Sequence, residues 1–287
     1  MSSHGLTVEQ TEFFGRNGYV VVEGLLSAEE LARADHAVHE IVEEQRQLGD
    51  EAERLEWEPE LVDGQRVPRR IYNPVNQHPA FEDIALSDKV LDRVESLFGA
   101  DIQFHHSKLN IKPARVGSVV EWHQDIAYFP HTNTDLLACL IYLDDADAHN
   151  GCLQVMPGQH GKRLFGHSHE GQFTGKITEP GWDENLPAPV ACEAPAGSLI
   201  MLHCLTPHSS VPNRSERPRR TLIMEYRAAD AYPIYFHDQI NRVESFTRQV
   251  RGQRAPEARF TLTSFPMPQI GGEHTSLYDL QSRYRGD

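Results

Sequence analysis

Basic charge is what this chain has too little of. It sets 27 Lys and Arg against 42 Asp and Glu, a formal net charge of -15. Nucleic-acid binding draws on a basic footprint and docking on anionic lipid draws on a basic face, so neither partner is expected. Cysteine is scarce as well. Cys139, Cys152, Cys192 and Cys204 form no C-x-x-C pair, and three of them sit in apolar runs. That pattern excludes a zinc cluster on paired cysteines and a disulfide framework, and a reduced, cytoplasmic protein is the expectation. No apolar run approaches the length of a membrane span. Residues 1–5 carry no signal-peptide core, and Tyr284-Arg285-Gly286-Asp287 is no peroxisomal tripeptide. Internal repeats and linker-like segments are missing too, and the oligomeric state leaves no mark on the sequence.

What is present is an ordinary globular composition, 39% hydrophobic over 287 residues, enough for a full core. The expectation is a single domain over residues 1–287. Thr7-Val8-Glu9-Gln10 and Ser27-Ala28-Glu29-Glu30 have capping-box spacing and open helices. Leu31, Ala34, Val38 and Ile41 keep a helical period behind the second box. Residues 50–67 are polar and acid-rich and read as a solvated loop. Two short helices are expected over residues 81–86 and 88–98. From residue 101 the pattern turns to strands: residues 102–112, 119–125, 136–143, 152–156, 190–193, 199–204 and 221–226. Residues 160–189 read as a polar, flexible insertion. Helical support over residues 6–99, core strands over about 101–227 and an extension over 228–287 fit a helical layer on a mainly β sandwich or jelly roll.

The chemistry starts at Glu121-Trp122-His123-Gln124-Asp125. In an extended segment residues i and i+2 share a side, so His123 and Asp125 would aim an imidazole nitrogen and a carboxylate oxygen at one point. One more histidine completes the two-histidine, one-carboxylate face of a non-haem Fe(II) site, which leaves coordination positions open. His160, His167, His169, His203 and His208 are the candidates. His203, inside Met201-Leu202-His203-Cys204, reads as a buried core histidine, and His160 as a turn residue. His208 stands just past a buried strand. Arg219 opens the next strand; with Arg217 and Arg220 around Pro218 it reads on its own as a solvated basic turn. An arginine is also what grips the far carboxylate of 2-oxoglutarate, through its planar fork. The same three ligands would suit a zinc hydrolase, and a non-enzymatic sandwich that binds a ligand would need none of them.

The order of motifs reaches further. His123-Gln124-Asp125, Tyr128-Phe129-Pro130, Asp135-Leu136, Asn150-Gly151-Cys152-Leu153, Pro157-Gly158, His160 and His208-x-Ser210-x-x-Asn213 together resemble the phytanoyl-CoA dioxygenase family, from about Leu6 to Tyr226. The resemblance implies a double-stranded β-helix and an Fe(II)- and 2-oxoglutarate-dependent hydroxylase that uses O2 on an unactivated C–H bond of a small organic molecule (a natural-product intermediate, a soluble metabolite or an acyl-CoA) and releases succinate and CO2. It assigns His123, Asp125 and His208 to iron. It assigns Arg219, Ser210 and Arg70 to the co-substrate. His106, Gln124, Tyr128, His167 and Asn213 match positions near a small-molecule substrate. A retained Asp125 favours an oxygen-type outcome over halogenation.

Overall fold

The computed structural model describes residues 4–49, 54–62, 64–235, 238–269 and 276–284. The chain opens with α1 (Val8–Asn17), β1 (Tyr19–Val22) and α2 (Ala28–Leu48). Thr7 and Ser27 cap the two helices, and both capping boxes close as the spacing required. The hairpin β2 (Leu55–Val62) and β3 (Gln65–Tyr72) precedes α3 (Pro79–Ala85) and α4 (Asp88–Phe98). Then come the long β4 (Ile102–Lys112), β5 (Val120–His123) and β6 (Leu136–Tyr142). Short pieces follow: β7 (Gln154–Val155), β8 (Ser168–His169), β9 (Gln172–Phe173) and β10 (Val190–Ala191). Last are β11 (Leu199–His203), β12 (His208–Ser210), β13 (Arg219–Ala228), α5 (Asp238–Glu244), β14 (Arg248–Arg251) and α6 (Leu277–Arg283).

The strands form an antiparallel jelly roll. The large sheet runs β1-β11-β6-β13-β4-β3-β2, with β14 added to β4; the small sheet runs β10-β7-β12-β5. Alternation along β4 and β13 decides which side each residue serves. Leu109, Ile111, Leu222 and Met224 join the core under the helices. Lys108, Asn110, Thr221 and Glu225 alternate with them and so project from the other face. β6 is buried along its whole length, as its continuous apolar run implies, because it packs helices on one side and a second apolar cluster on the other.

Two expectations needed correcting. Residues 50–67 are not all loop: residues 55–62 and 65–72 make the β2–β3 hairpin, while 50–53 and 63 lie outside the described residues. The hairpin lies at the rim of the large sheet, where charged residues are tolerated, so its composition hid it. Residues 160–189 are not a loose insertion, since Phe165, His167 and Phe173 are buried. The segment beyond residue 228 adds β14 to the large sheet and closes α6 against β5. No helix among the described residues is long and apolar enough to cross a membrane.

Gly18 ties the first strand to the turn between β11 and β12. It ends α1 at φ +77°, a conformation that glycine adopts freely. Its carbonyl accepts from the His203 amide at 2.9 Å and from Thr206 Oγ1 at 2.8 Å. A Cβ there would lie 2.4 Å from Thr206 Oγ1 and 2.6 Å from the His160 ring. Gly18→Ala is expected to cost about 1–3 kcal/mol through strain and crowding. Equilibrium denaturation reads this as a lowered midpoint, and a wild-type midpoint would contradict the tie.

Candidate metal and co-substrate site

His123 and His208 face each other across paired β5 and β12. Their ring centroids are 4.1 Å apart. β5 ends at His123, Gln124 stays extended, and Asp125 opens a 3-10 turn over Asp125–Ala127. The Ile126 amide bonds the Cys204 carbonyl, which anchors that turn to the β11–β12 connection. Asp125 Oδ1 then lies 3.7 Å from Nε2 of His123 and 3.7 Å from Nε2 of His208. All three residues are buried, and their ligand atoms fall within 4.8 Å of one another.

The tautomers follow from the hydrogen bonds. His123 Nδ1 lies 2.8 Å from the Glu121 carbonyl and His208 Nδ1 3.0 Å from the Thr206 carbonyl. A carbonyl only accepts, so each Nδ1 carries the proton and each Nε2 presents a lone pair. Burial first, and then the neighbouring His208, holds His123 well below the usual histidine range, so its ring is neutral. Two lone pairs and a carboxylate oxygen converge with no donor between them. That arrangement is unfavourable by itself and is completed by a divalent cation.

Of the other histidines weighed as ligands, His203 Nδ1 accepts from the Leu205 amide at 3.1 Å and so shapes the turn before His208. His160 packs on it at 5.3 Å under α1, and His169 is exposed on β8. Gln124 and His167, expected near substrate, are committed to the frame. The Gln124 amide donates to the Arg163 and Leu205 carbonyls at 3.0 and 2.7 Å and accepts from the Phe165 amide at 2.8 Å. His167 Nδ1 bonds the Phe165 carbonyl at 2.8 Å, and its Nε2 accepts from the Gln124 amide at 3.1 Å. Asn213 likewise spends its side chain on backbone, donating to the Lys112, Pro113 and Arg217 carbonyls and accepting from the Ser215 amide. None of these three keeps its polar atoms for a ligand. Tyr128 lies edge-on to His123 at 5.8 Å, and its hydroxyl donates to the Gly175 carbonyl. His106 packs on Phe129 at 4.9 Å.

Beyond the triad lie polar residues of β12 in the small sheet and of β13, β4 and β3 in the large sheet. Ser210 follows His208 by two on β12. Arg219 on β13 is buried and donates to Thr221 Oγ1 at 2.8 Å and to the Gly151 carbonyl, while its Nε has no hydrogen-bond partner. Arg70 on β3 donates to Asn110 Oδ1 at 2.9 Å and lies over the Tyr278 ring at 4.7 Å. Among the described residues neither arginine makes a direct ion pair with a carboxylate, although Glu56 lies near Arg70 and Asp144 near Arg219. Two buried guanidiniums left this way are what an anion with two carboxylates would complete.

Asn110, Thr221 and Tyr278 escaped the sequence pattern. Asn110 left a signal: Lys108, Asn110 and Lys112 alternate with Leu109 and Ile111, a polar face within a buried strand. Tyr278 left none. It is buried on α6, whose Gln281 accepts from the Glu121 amide at 3.0 Å and donates to the Gly175 carbonyl at 2.6 Å. The extension therefore covers the strand that carries His123.

A second cluster, His105, His131 and Glu244, also has metal-like spacing. Here Arg227 Nη1 sits 2.7 Å from His131 Nε2 and 2.9 Å from Glu244 Oε1, so a guanidinium already fills the role of the cation. Burial, then His105 and Arg227, holds His131 down to about 3. Burial, then His160, does the same to His203. Each ring is neutral when folded and takes up a proton near its ordinary 6.5 when unfolded. Stability is therefore present above about pH 6.5 and lost as pH falls towards 3, by about 2 kcal/mol per ring between pH 7 and pH 5. Denaturant midpoints across that window are expected to fall, and a flat profile would contradict this. Gln124→Ala strands several buried backbone groups and is expected to cost about 3 kcal/mol in the same assay.

A family model described as phytanoyl-CoA dioxygenase matches residues 14–221. The chain is 34% identical over 231 residues to a probable alpha-ketoglutarate-dependent hypophosphite dioxygenase of Stutzerimonas stutzeri, covering 79% of this chain and 80% of that protein. It is 26% identical over 247 residues to the peroxisomal phytanoyl-CoA dioxygenase of Mus musculus, covering 82% and 72%. Among solved structures, EctD from S. alaskensis with bound Fe superposes with a TM-score of 0.71 at 22% identity, covering 89% and 90%. By the extent of the family match and the 34% identity, this chain is a member of the phytanoyl-CoA dioxygenase family.

Proposed function

We propose that the chain is an Fe(II)- and 2-oxoglutarate-dependent dioxygenase that hydroxylates a small molecule. The observation that carries this reading is the convergence of two imidazole lone pairs and the Asp125 carboxylate, with both Nδ1 protons committed elsewhere. His123, Asp125 and His208 would hold the iron. Arg219, with Ser210 and Arg70, would hold 2-oxoglutarate. With O2, the iron and co-substrate supply the oxidising power: one oxygen atom enters an X–H bond of the substrate as hydroxyl, the other enters succinate, and CO2 leaves.

The chain's own residues set the conditions for that chemistry. The Nδ1–H donors to Glu121 and Thr206 keep both ligands in one tautomer and fix the ring planes. The Arg219 fork gives the co-substrate one orientation. Tyr278 and α6 keep water from the arginines, which strengthens their hold on an anion. The extension thus belongs to the site, and residues 1–287 act as one catalytic unit. A cytoplasmic setting is in keeping with four cysteines that are all buried and free.

Purified protein with Fe(II) is expected to consume O2 and 2-oxoglutarate and to release succinate. Asp125→Ala should reduce release to background. Arg219→Leu should keep the metal and raise the KM for 2-oxoglutarate by on the order of 10–100-fold, the loss of a charge-assisted pair. Turnover with Zn(II) and no O2, or full activity of Asp125→Ala, would sink the reading.

A further inference from the structure

Three polar side chains on the large sheet are not used by the metal or by the co-substrate. Glu225 of β13 is paired across the sheet with His106 of β4, and its other neighbour is Ala138, which offers no polar atom. Lys108, two residues along β4, places Nζ 3.3 Å from Glu225 Oε1, but without hydrogen-bond alignment. Among the described residues, Glu225 Oε1 has this ion pair alone and His106 Nδ1 has no hydrogen-bond partner, and both atoms are buried. Groups like these are ordinarily satisfied, and two of them side by side mark a place where a ligand belongs.

The place is beside the triad. Phe129 packs on the His106 ring at 4.9 Å, and its neighbour Tyr128 lies against His123 at 5.8 Å. The electrostatics agree. Burial first, then His105, Lys108 and Arg70, holds His106 well below the usual histidine range. Burial, opposed by Lys108 and reinforced by Asp125, pushes Glu225 up to about 7.

Charge then narrows the ligand. Above about pH 7, where Glu225 is ionised, Lys108 and Glu225 offset each other. Of the charged side chains that face the triad and the co-substrate, Arg219 and Arg70 exceed Asp125 by one positive charge. A divalent metal and a dianionic co-substrate cancel when both are bound. One positive charge is left in a buried space, and one negative charge would balance it. A second negative charge on the ligand would meet the Glu225 carboxylate.

We propose that Lys108, His106 and Glu225 form the substrate subsite, and that it takes a small monoanion whose reactive X–H bond lies close to its charged oxygens. Lys108 and His106 bind the oxygens, and Glu225 positions Lys108 and turns away dianions. A polyanionic acyl thioester does not fit such a site. This rests on the dioxygenase reading above and assigns residues that the metal and co-substrate leave free.

The test is anaerobic calorimetry on the full chain loaded with Fe(II) and 2-oxoglutarate. The probes are hypophosphite and propionate, two monoanions of different origin, with phosphite as a dianion in mildly alkaline buffer. Wild type is expected to bind at least one monoanion and to bind phosphite at least about tenfold more weakly, as expected for an unpaired like charge. Lys108→Met, with Lys108→Gln as a second variant in case the first folds poorly, should lose at least about tenfold in monoanion affinity and keep that for 2-oxoglutarate. Glu225→Gln should narrow the gap between phosphite and the monoanion. Failure of wild type to bind either monoanion, or unchanged monoanion affinity in a folded Lys108 variant, overturns the subsite. Failure of wild type to bind 2-oxoglutarate with metal overturns the dioxygenase reading itself and the subsite with it.

Discussion

Everything at this site depends on one interaction made twice. A histidine donates Nδ1–H to the carbonyl two residues before it, at His123 to Glu121 and at His208 to Thr206. The bond fixes the tautomer, turns Nε2 outward and holds the ring plane with backbone rather than with another mobile side chain. His131 and His167 make the same bond, to Phe129 and Phe165, yet their Nε2 atoms are taken up, by Arg227 and by the Gln124 amide. Local geometry alone therefore does not make a ligand. What separates His123 and His208 is the β5–β12 pairing that sets them opposite each other, and the turn at Asp125 that brings in a carboxylate in place of a donor.

The surrounding architecture isolates this arrangement from water. The large sheet gives one face to the helices, and its other face carries a second apolar cluster on β6 and β11 beside the polar residues at the site. Burying Arg70, Arg219 and Glu225 carries a desolvation cost that a folded protein ordinarily avoids. Here the cost is offset only in part within the chain, by Asn110, Thr221, the Gly151 carbonyl and the Tyr278 ring. Places where a fold tolerates such incompletely matched polar groups are where function is found. α6 is part of the same design, since Gln281 bonds the backbone just before Trp122 and Tyr278 covers an arginine.

Much of this was legible in the sequence, and the boundary of legibility has a physical basis. Both capping boxes, the long β4 and the fully buried β6 follow from local periodicity, which the chain expresses strongly there. The β2–β3 hairpin did not, because a rim strand needs no apolar alternation on its open side. For the site, His123 and Asp125 were visible as a pair two residues apart, while His208 and Arg219 required the family resemblance because nothing local distinguishes them from other histidines and arginines. Gln124, His167 and Asn213 match substrate positions in sequence, and in the fold their side chains bond backbone. Tyr278 lies beyond a stretch without periodicity, and only the fold brings it back.

The most direct test of the account is the visible absorption of the protein with Fe(II) and 2-oxoglutarate under anaerobic conditions. A chelated co-substrate on a two-histidine, one-carboxylate iron gives a charge-transfer band, and the account predicts one band at one iron per chain. The band should vanish in His208→Ala, which loses the metal, and should require much more 2-oxoglutarate in Arg219→Leu, which keeps it. A protein that binds iron but shows no band with 2-oxoglutarate, or a band indifferent to both substitutions, would contradict the account.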